Sequence, residues 1–239
     1  MDWNNDGNQD LLVGNGVGNV SIYLNTNNST NPILDGGTQI TVGGLPLDVG
    51  DRGAPAVTDW NGDGNNDMLV GNILGNIQVY LNTGTNSAPA FSSYTNLTLS
   101  SGAVFDIGSR SAPRVVDWNN DGAQDLMVGD YYGYIYYLQN VGTDSAPVFN
   151  SAEKLLLADG TALRYIDSEL PLYPRSRFDI VDWDGNGYSD IIVGGKDGQL
   201  MIYGAAPEPL SAVLFIVGGG VMGLRGLRKR IRKDKNNTL

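Results

Sequence analysis

Four short apolar runs punctuate the chain: Leu11-Leu12-Val13, Met68-Leu69-Val70, Leu126-Met127-Val128 and Ile191-Ile192-Val193. Each ends in Gly, and each follows a polar stretch of fixed length. Runs this short, bounded by turn residues, read as buried β-strands rather than helices. After each comes an alternating segment: Asn76-Ile-Gln-Val-Tyr-Leu81, Tyr134-Ile-Tyr-Tyr-Leu138 and Gln199-Leu-Met-Ile-Tyr203 follow the last three runs. Gly75, Gly133 and Gly198 stand before these segments, where a hairpin turn needs positive φ. Apolar segments also lead into three of the polar stretches: Ala54-Pro-Ala-Val-Thr58, Ala112-Pro-Arg-Val-Val116 and Arg177-Phe-Asp-Ile-Val181. A fourth, less regular strand is expected around Asn96-Leu-Thr-Leu99 and Lys154-Leu-Leu-Leu157. The connectors at 82–89 and 140–147 share Gly, Ser, Ala and Pro at matching places, which marks them as turns.

The polar stretches are near-copies of one another. Asp59-Trp-Asn-Gly-Asp-Gly-Asn-Asn-Asp67 recurs at 2–10, 117–125 and 182–190. The leading Asp residues, Asp2, Asp59, Asp117 and Asp182, are spaced by 57, 58 and 65 residues. A period of that size with four strands in each unit fits a propeller blade. A β-sandwich is the competing all-β arrangement, but its strands need not recur as copies of one unit. The expected fold is therefore all-β, with blades of four antiparallel strands. The first copy lacks its leading strand, and the last is expected to stop at Tyr203 after its third. About three to four blades are present, so a ring is not expected to close within the chain. The sequence is expected to be a fragment, or to have a misassigned start, with further blades and an export signal upstream. The stretch after Met1 has neither a cationic nor an apolar leader region.

Composition narrows the chemistry. The 239 residues include 33 Gly, no Cys and no His. Disulfides, thiolates and imidazole ligands are thereby removed, and with them the usual zinc sites and the commonest general base. The formal charge of −11 is unevenly divided: residues 225–239 carry a net +6, leaving −17 for the rest. An acidic body disfavours nucleic acid as a partner and suits cations.

The repeated loop offers oxygen ligands on a tight arc. Its first, third and fifth side chains, the seventh carbonyl and the ninth carboxylate could form a cage. The candidate metal residues are Asp2, Asn4, Asp6, Asn8 and Asp10 in the first copy, and Asp59, Asn61, Asp63, Asn65 and Asp67 in the second. In the third they are Asp117, Asn119, Asp121, Ala123 and Asp125; in the fourth, Asp182, Asp184, Asn186, Tyr188 and Asp190. The sixth-position Gly permits the sharp turn. Oxygen-only ligands favour Ca²⁺ over softer metals, and Mg²⁺ rarely uses an all-protein cage. The competing reading is an Asx-rich turn that binds nothing. If calcium binds, its expected role is structural, fixing the hairpin between the first two strands.

Other candidates are weaker. Arg52, Arg110 and Arg175 each precede a leading Asp by seven residues, so they hold one equivalent place per unit. They suggest either a basic ring for an acidic sugar or ordinary pairing with neighbouring carboxylates and carbonyls. The Trp at each second position is read as packing between repeats. In the run Tyr131, Tyr132, Tyr134, Tyr136 and Tyr137, alternation places members on both strand faces; core packing is the preferred reading, and stacking of an exposed subset on sugar rings is the alternative. Lys154, Lys196 and Glu169 are isolated, and no catalytic pair emerges.

The loops, the Leu-Val-Gly strands and the connectors resemble the FG-GAP/VCBS repeats of bacterial surface proteins and the calcium-loop blades of integrin alpha-chain propellers. The resemblance covers residues 1–204. It implies a propeller, calcium between the first two strands of a blade, and a role in adhesion or carbohydrate contact. Some polysaccharide lyases use similar blades, so a carbohydrate-active enzyme is the alternative function.

Beyond residue 204 the composition changes. Pro207-Glu208-Pro209 lies in a linker at 205–209, an uncharged, mostly apolar stretch fills 210–224, and Arg225 opens a basic cluster. As a helix that stretch spans roughly 22 Å, short of a bilayer core of ~30 Å unless flanking Arg side chains extend it. Residues 210–239 resemble a PEP-CTERM sorting signal. That implies processing by an exosortase-type enzyme, a C-terminal transmembrane helix, and repeats facing outside a bacterial cell membrane. A carbohydrate or protein ligand at the cell surface is the expected partner.

Overall fold

The computed structural model describes residues 1–166, 177–194 and 199–204, together with the backbone of 228–231. The described chain is all β. The first repeat supplies β1 (Leu11–Gly14), β2 (Val20–Tyr23) and β3 (Thr38–Gln39), then a small hairpin of β4 (Thr41–Val42) and β5 (Leu45–Pro46). The second supplies β6 (Ala54–Thr58), β7 (Asp67–Gly71), β8 (Ile77–Tyr80) and β9 (Thr95–Asn96). The third supplies β10 (Ala112–Val116), β11 (Asp125–Gly129), β12 (Ile135–Leu138) and β13 (Glu153–Lys154). The fourth supplies β14 (Arg177–Val181), β15 (Asp190–Gly194), β16 (Leu200–Tyr203) and β17 (Arg228–Ile231). Apart from the β4–β5 hairpin, each repeat forms one sheet with its strands in chain order, three-stranded in the first and four-stranded in the others. The arrangement is consistent with propeller-like blades.

Sequence and structure agree on the strands flanking each loop. β6, β10 and β14 coincide with the expected leading segments, and the first sheet lacks its counterpart. That leaves β1 at a sheet edge, with Leu11 46% and Val13 37% exposed, whereas all five residues of β7 and of β11 are buried. A strand covered on both faces reads as a continuous apolar run, and Asp67-Met-Leu-Val-Gly71 does so.

Two expectations need correction. The fourth strands are only two residues long and begin before the apolar runs taken for them. Leu97 and Leu155 instead continue into a turn, bridged as Thr98 to Val104 and Leu156 to Ala162, the counterpart of the β4–β5 hairpin. The fourth repeat does not stop at Tyr203: the backbone of β17 pairs antiparallel with β16, Tyr203 opposite Arg228. No helix among the described residues is long and apolar enough to cross a membrane. Residues 205–224, which contain the expected span and Pro207-Glu208-Pro209, lie outside the described residues, as do Glu169, Arg175, Lys196 and Gly198.

The described chain divides into two compact units, residues 1–128 with 137–152, and residues 129–136 with the described part of 153–239. The first unit has a core of Trp3, Val20, Ile22, Ile40, Leu47, Val49, Met68, Val70, Tyr80 and Phe91. Full burial of a Met or Val in it contributes on the order of 2 kcal/mol. Within this unit the Trp of one repeat packs on a Phe at the end of the next repeat's connector. The Trp3 and Phe91 ring centroids are 6.2 Å apart, and those of Trp60 and Phe149 are 5.9 Å apart. This is the packing role expected for these residues. In the second unit Trp183 is 59% exposed.

Candidate functional site

All four loops are folded by the same bonds. The leading carboxylate caps the turn: Asp59 accepts the Asp63 N–H at 3.0 Å on one oxygen and the Gly64 N–H at 2.8 Å on the other. Asp2, Asp117 and Asp182 repeat this with Asp6 and Gly7, Asp121 and Gly122, and Asn186 and Gly187. The third side chain accepts the fifth N–H, from Asn4, Asn61 and Asn119 in three copies and Asp184 in the last. The fifth accepts the seventh N–H: Asp6 from Asn8, Asp63 from Asn65, Asp121 from Ala123 and Asn186 from Tyr188. This ladder concentrates side-chain oxygens on one side of the turn. The sixth Gly has φ between +85° and +91° in every copy, as the sequence implied. The fourth position is also left-handed, at Asn5, Gly62, Asn120 and Gly185. The restriction of that position to Asn and Gly was the overlooked signal.

The ninth Asp differs from the rest. Asp10, Asp67, Asp125 and Asp190 are buried, while the carboxylates around them lie nearer the surface. Asp67 accepts the Trp60 N–H at 3.0 Å and, on its other oxygen, the Asn82 N–H at 2.7 Å. Asp10 and Asp125 do the same with Trp3 and Asn25, and with Trp118 and Asn140. Each therefore ties its loop to the end of the third strand of its own repeat. Burial raises the carboxyl pKa of Asp67 and of Asp125. The exposed Asp6 and Asp63 go the other way, lowered first by the backbone N–H of Asn8 and of Asn65. Sequence reasoning took the connectors only as turns, but they also clasp the loops. The Gln9, Asn66 and Gln124 N–H groups donate to Ser29, Asn86 and Asp144, and the Asn86 amide donates back to the Gly64 carbonyl.

The donor set fits a hard cation. In the fourth loop, one carboxylate oxygen from each of Asp182, Asp184 and Asp190 lies within 4.8 Å of the others. Oxygens bound to one Ca²⁺ at about 2.4 Å are separated by no more than about 5 Å. The first three loops also carry three carboxylates each, with Asn rather than Asp at the third position.

The arginines form no described ring. Arg52 and Arg110 occupy equivalent left-handed positions with φ of 56° and 50°, and Arg175 lies outside the described residues. The Arg52 Nε is buried without a hydrogen-bond partner. Among the tyrosines, Tyr137 is buried and donates its hydroxyl to Asp125 at 2.9 Å, whereas Tyr132 is 42% exposed.

Residues 59–128, the second loop through the strand after the third, match the FG-GAP-like repeat family. Mouse integrin alpha-IIb is 30% identical over 185 residues, covering 68% of this chain and 16% of the integrin. Integrin alpha-4 of Xenopus laevis is 27% identical over 154 residues, covering 59% of this chain and 14% of that protein. The chain thus spans a small part of the relatives it matches. A solved structure, described as the crystal structure of BBS1N in complex with ARL6DN soaked with lead, covers 84% of this chain and 51% of its own at 16% identity. Its TM-score of 0.40 is too low to bear on the fold or the function. The matches support an FG-GAP, integrin-alpha-like repeat protein.

Proposed function

We propose that this chain is a calcium-stabilised propeller-type module of a bacterial surface protein, acting in adhesion or in contact with an extracellular polysaccharide matrix. The observation that carries the reading is the fourfold loop, with three carboxylate oxygens of the last copy within reach of one ion. In each loop the first, third and fifth side chains, the seventh carbonyl and the ninth Asp would hold Ca²⁺. The ion would neutralise carboxylates that otherwise repel one another and would lock the turn between the first two strands of a blade. Outside a cell, millimolar calcium fills even sites with dissociation constants of ~10⁻⁴–10⁻³ M. The expected partner is a carbohydrate or protein ligand at the surface. The acidic body does not suit nucleic acid.

Attachment through residues 210–224, with exosortase-type processing near Pro207-Glu208-Pro209, belongs to the same reading. A membrane crossing by 210–224 and the pairing of β17 with β16 exclude one another, because the crossing would put them on opposite sides. Anchoring therefore requires β17 to leave the edge of β16.

Calorimetric titration of the full chain with Ca²⁺ tests the site. Asp182→Asn combined with Asp184→Asn should lower the stoichiometry by one site. An unchanged stoichiometry, or no binding by the natural chain, would overturn the loop assignment. Fractionation of cells expressing the full chain tests the anchor. Repeats in the membrane fraction and cleaved by external protease support it; repeats that stay in the membrane fraction after deletion of 210–224 contradict it.

A further inference from the structure

Five positions of the third repeat depart together from the two repeats before it. Tyr132, Tyr134, Tyr136, Lys154 and Arg164 stand where the second repeat has Leu74, Asn76, Gln78, Asn96 and Asp106. The first repeat has Val17, Asn19, Ser21, Gln39 and Asp48 at these places. Backbone bonds fix the correspondence. The Tyr165 N–H donates to the Gly133 carbonyl at 2.8 Å, as Ile107 does to Gly75 at 3.2 Å and Val49 to Gly18 at 3.1 Å. The Leu155 N–H donates to Ile135 as Leu97 does to Ile77 and Ile40 to Val20. The hairpin turn is likewise kept: Asp130 accepts the N–H groups of Tyr132 and Tyr134, as Asn72 does from Leu74 and Asn76.

The scaffold therefore needs neither aromatic nor cationic side chains here, and it gives up local bonds to hold them. In the earlier repeats the Asn19 and Asn76 amides clip the hairpin to the Leu47 and Phe105 carbonyls. Asp48 and Asp106 cap the turns at Gly50 and Gly108. In the third repeat a tyrosine replaces the clip, and an arginine reverses the charge at the cap. The replacements converge. The Lys154 Nζ lies 3.7 Å from the Tyr134 ring centroid and 5.9 Å from that of Tyr136. The Arg164 Cζ lies 5.2 Å from the Tyr134 centroid, and its Nε donates to the Tyr132 carbonyl at 2.8 Å. Asp130 is bonded to the Tyr136 hydroxyl, which burial and this carboxylate push up to about 12. All of these residues belong to the second compact unit.

We infer that Tyr132, Tyr134, Tyr136, Lys154 and Arg164 form a binding face for an acidic polysaccharide. Tyr132, 42% exposed, offers stacking surface for the apolar face of a sugar, while the Tyr134 and Tyr136 rings hold Lys154 beside it. Lys154 and Arg164 supply charge-assisted hydrogen bonds to its carboxylate, the arginine in a fixed fork. Two cations beside one ring, in a body of net −17, match a chain with widely spaced carboxylates rather than a dense polyanion. The inference names the ligand class of the surface module proposed above and rests on that reading.

The test uses the full chain in calcium-containing buffer, with short galacturonate and hyaluronate oligosaccharides as probes and cello-oligosaccharides as neutral controls. Lys154→Asn with Arg164→Asp, and Tyr134→Asn with Tyr136→Gln, install the residues that the second repeat already carries. Melting temperature reports whether they fold. The expected result is binding of the acidic probes that weakens with added salt and falls about tenfold or more in each folded double variant. Absence of acidic-probe binding by the natural chain, equal binding of the neutral probes, or unchanged binding in both double variants would overturn the inference. The shift of melting temperature between Ca²⁺ and EGTA is read on the same samples. A retained shift with no glycan binding sinks this inference alone, whereas a missing shift sinks the calcium module beneath it.

Discussion

Asp67 shows what a single side chain does in this molecule. Its two oxygens accept backbone N–H groups from Trp60 and from Asn82, fifteen residues further on, so one carboxylate closes the loop and fastens it to the third strand. Asp67→Ala leaves both donors buried and unpaired, at about 1–3 kcal/mol each. Urea unfolding in EGTA should show a loss of ~3 kcal/mol, and Asp67→Asn, which keeps one acceptor, a smaller loss. The sequence made Asp67 a ligand candidate from its place in the motif. Its burial and its second bond were not legible, because Asn82 is local to it only once the hairpin has formed. Asp130 gives a pH-dependent case away from the loops. Burial raises its carboxyl pKa, with backbone N–H groups and Lys154 opposing. A raised folded-state pKa stabilises the protonated form. That stability is fully present below the unfolded value of about 3.9 and is lost as pH rises through the folded value. Asp130→Asn keeps the turn acceptor, as Asn72 shows, and removes the buried charge. It should raise the melting temperature at pH 7, and the gain should vanish below about pH 4.

At the level of the element, two glycines with different reasons separate strand packing from loop function. Gly71 ends β7, and a Cβ there would collide with the Ser111 backbone carbonyl just before β10. Gly64 has open space around it but a φ of +87°. Gly71→Ala is expected to cost about 2 kcal/mol or more through overpacking, with Ca²⁺ affinity unchanged. Gly64→Ala is expected to cost about 1–2 kcal/mol through its backbone and to weaken Ca²⁺ binding at that loop. Thermal melts paired with calcium titration of each variant check both. The flanking strands were legible because apolar runs and the Asp-rich turn bound them on both sides. The fourth strands were legible in place but not in extent, since Thr95-Asn96 and Glu153-Lys154 carry no apolar signal and only the edge pairing sets their bounds. The small hairpin that follows was missed. Its markers, Gly43-Gly44, Gly102 and Gly160, are turn residues inside what looked like one strand and its connector.

For the whole molecule, repetition is the informative property. Four copies of one loop fix the period, and the sheets follow it. The same repetition exposes the third repeat's Tyr, Lys and Arg residues as departures that the fold does not require. The C-terminal region was legible only as composition, and the one strand described there, β17, arises from pairing with β16 rather than from an apolar pattern of its own. The central claim is that calcium locks the loop within each repeat and so stabilises the chain. Free Ca²⁺ at one hundred times its dissociation constant adds about 2.7 kcal/mol for each site that binds only the folded chain. The direct measurement is the melting temperature of the full chain in millimolar Ca²⁺ and in EGTA. The account predicts a rise of at least ~5 °C with Ca²⁺, reversed by the chelator. Identical melting in the two buffers would contradict it.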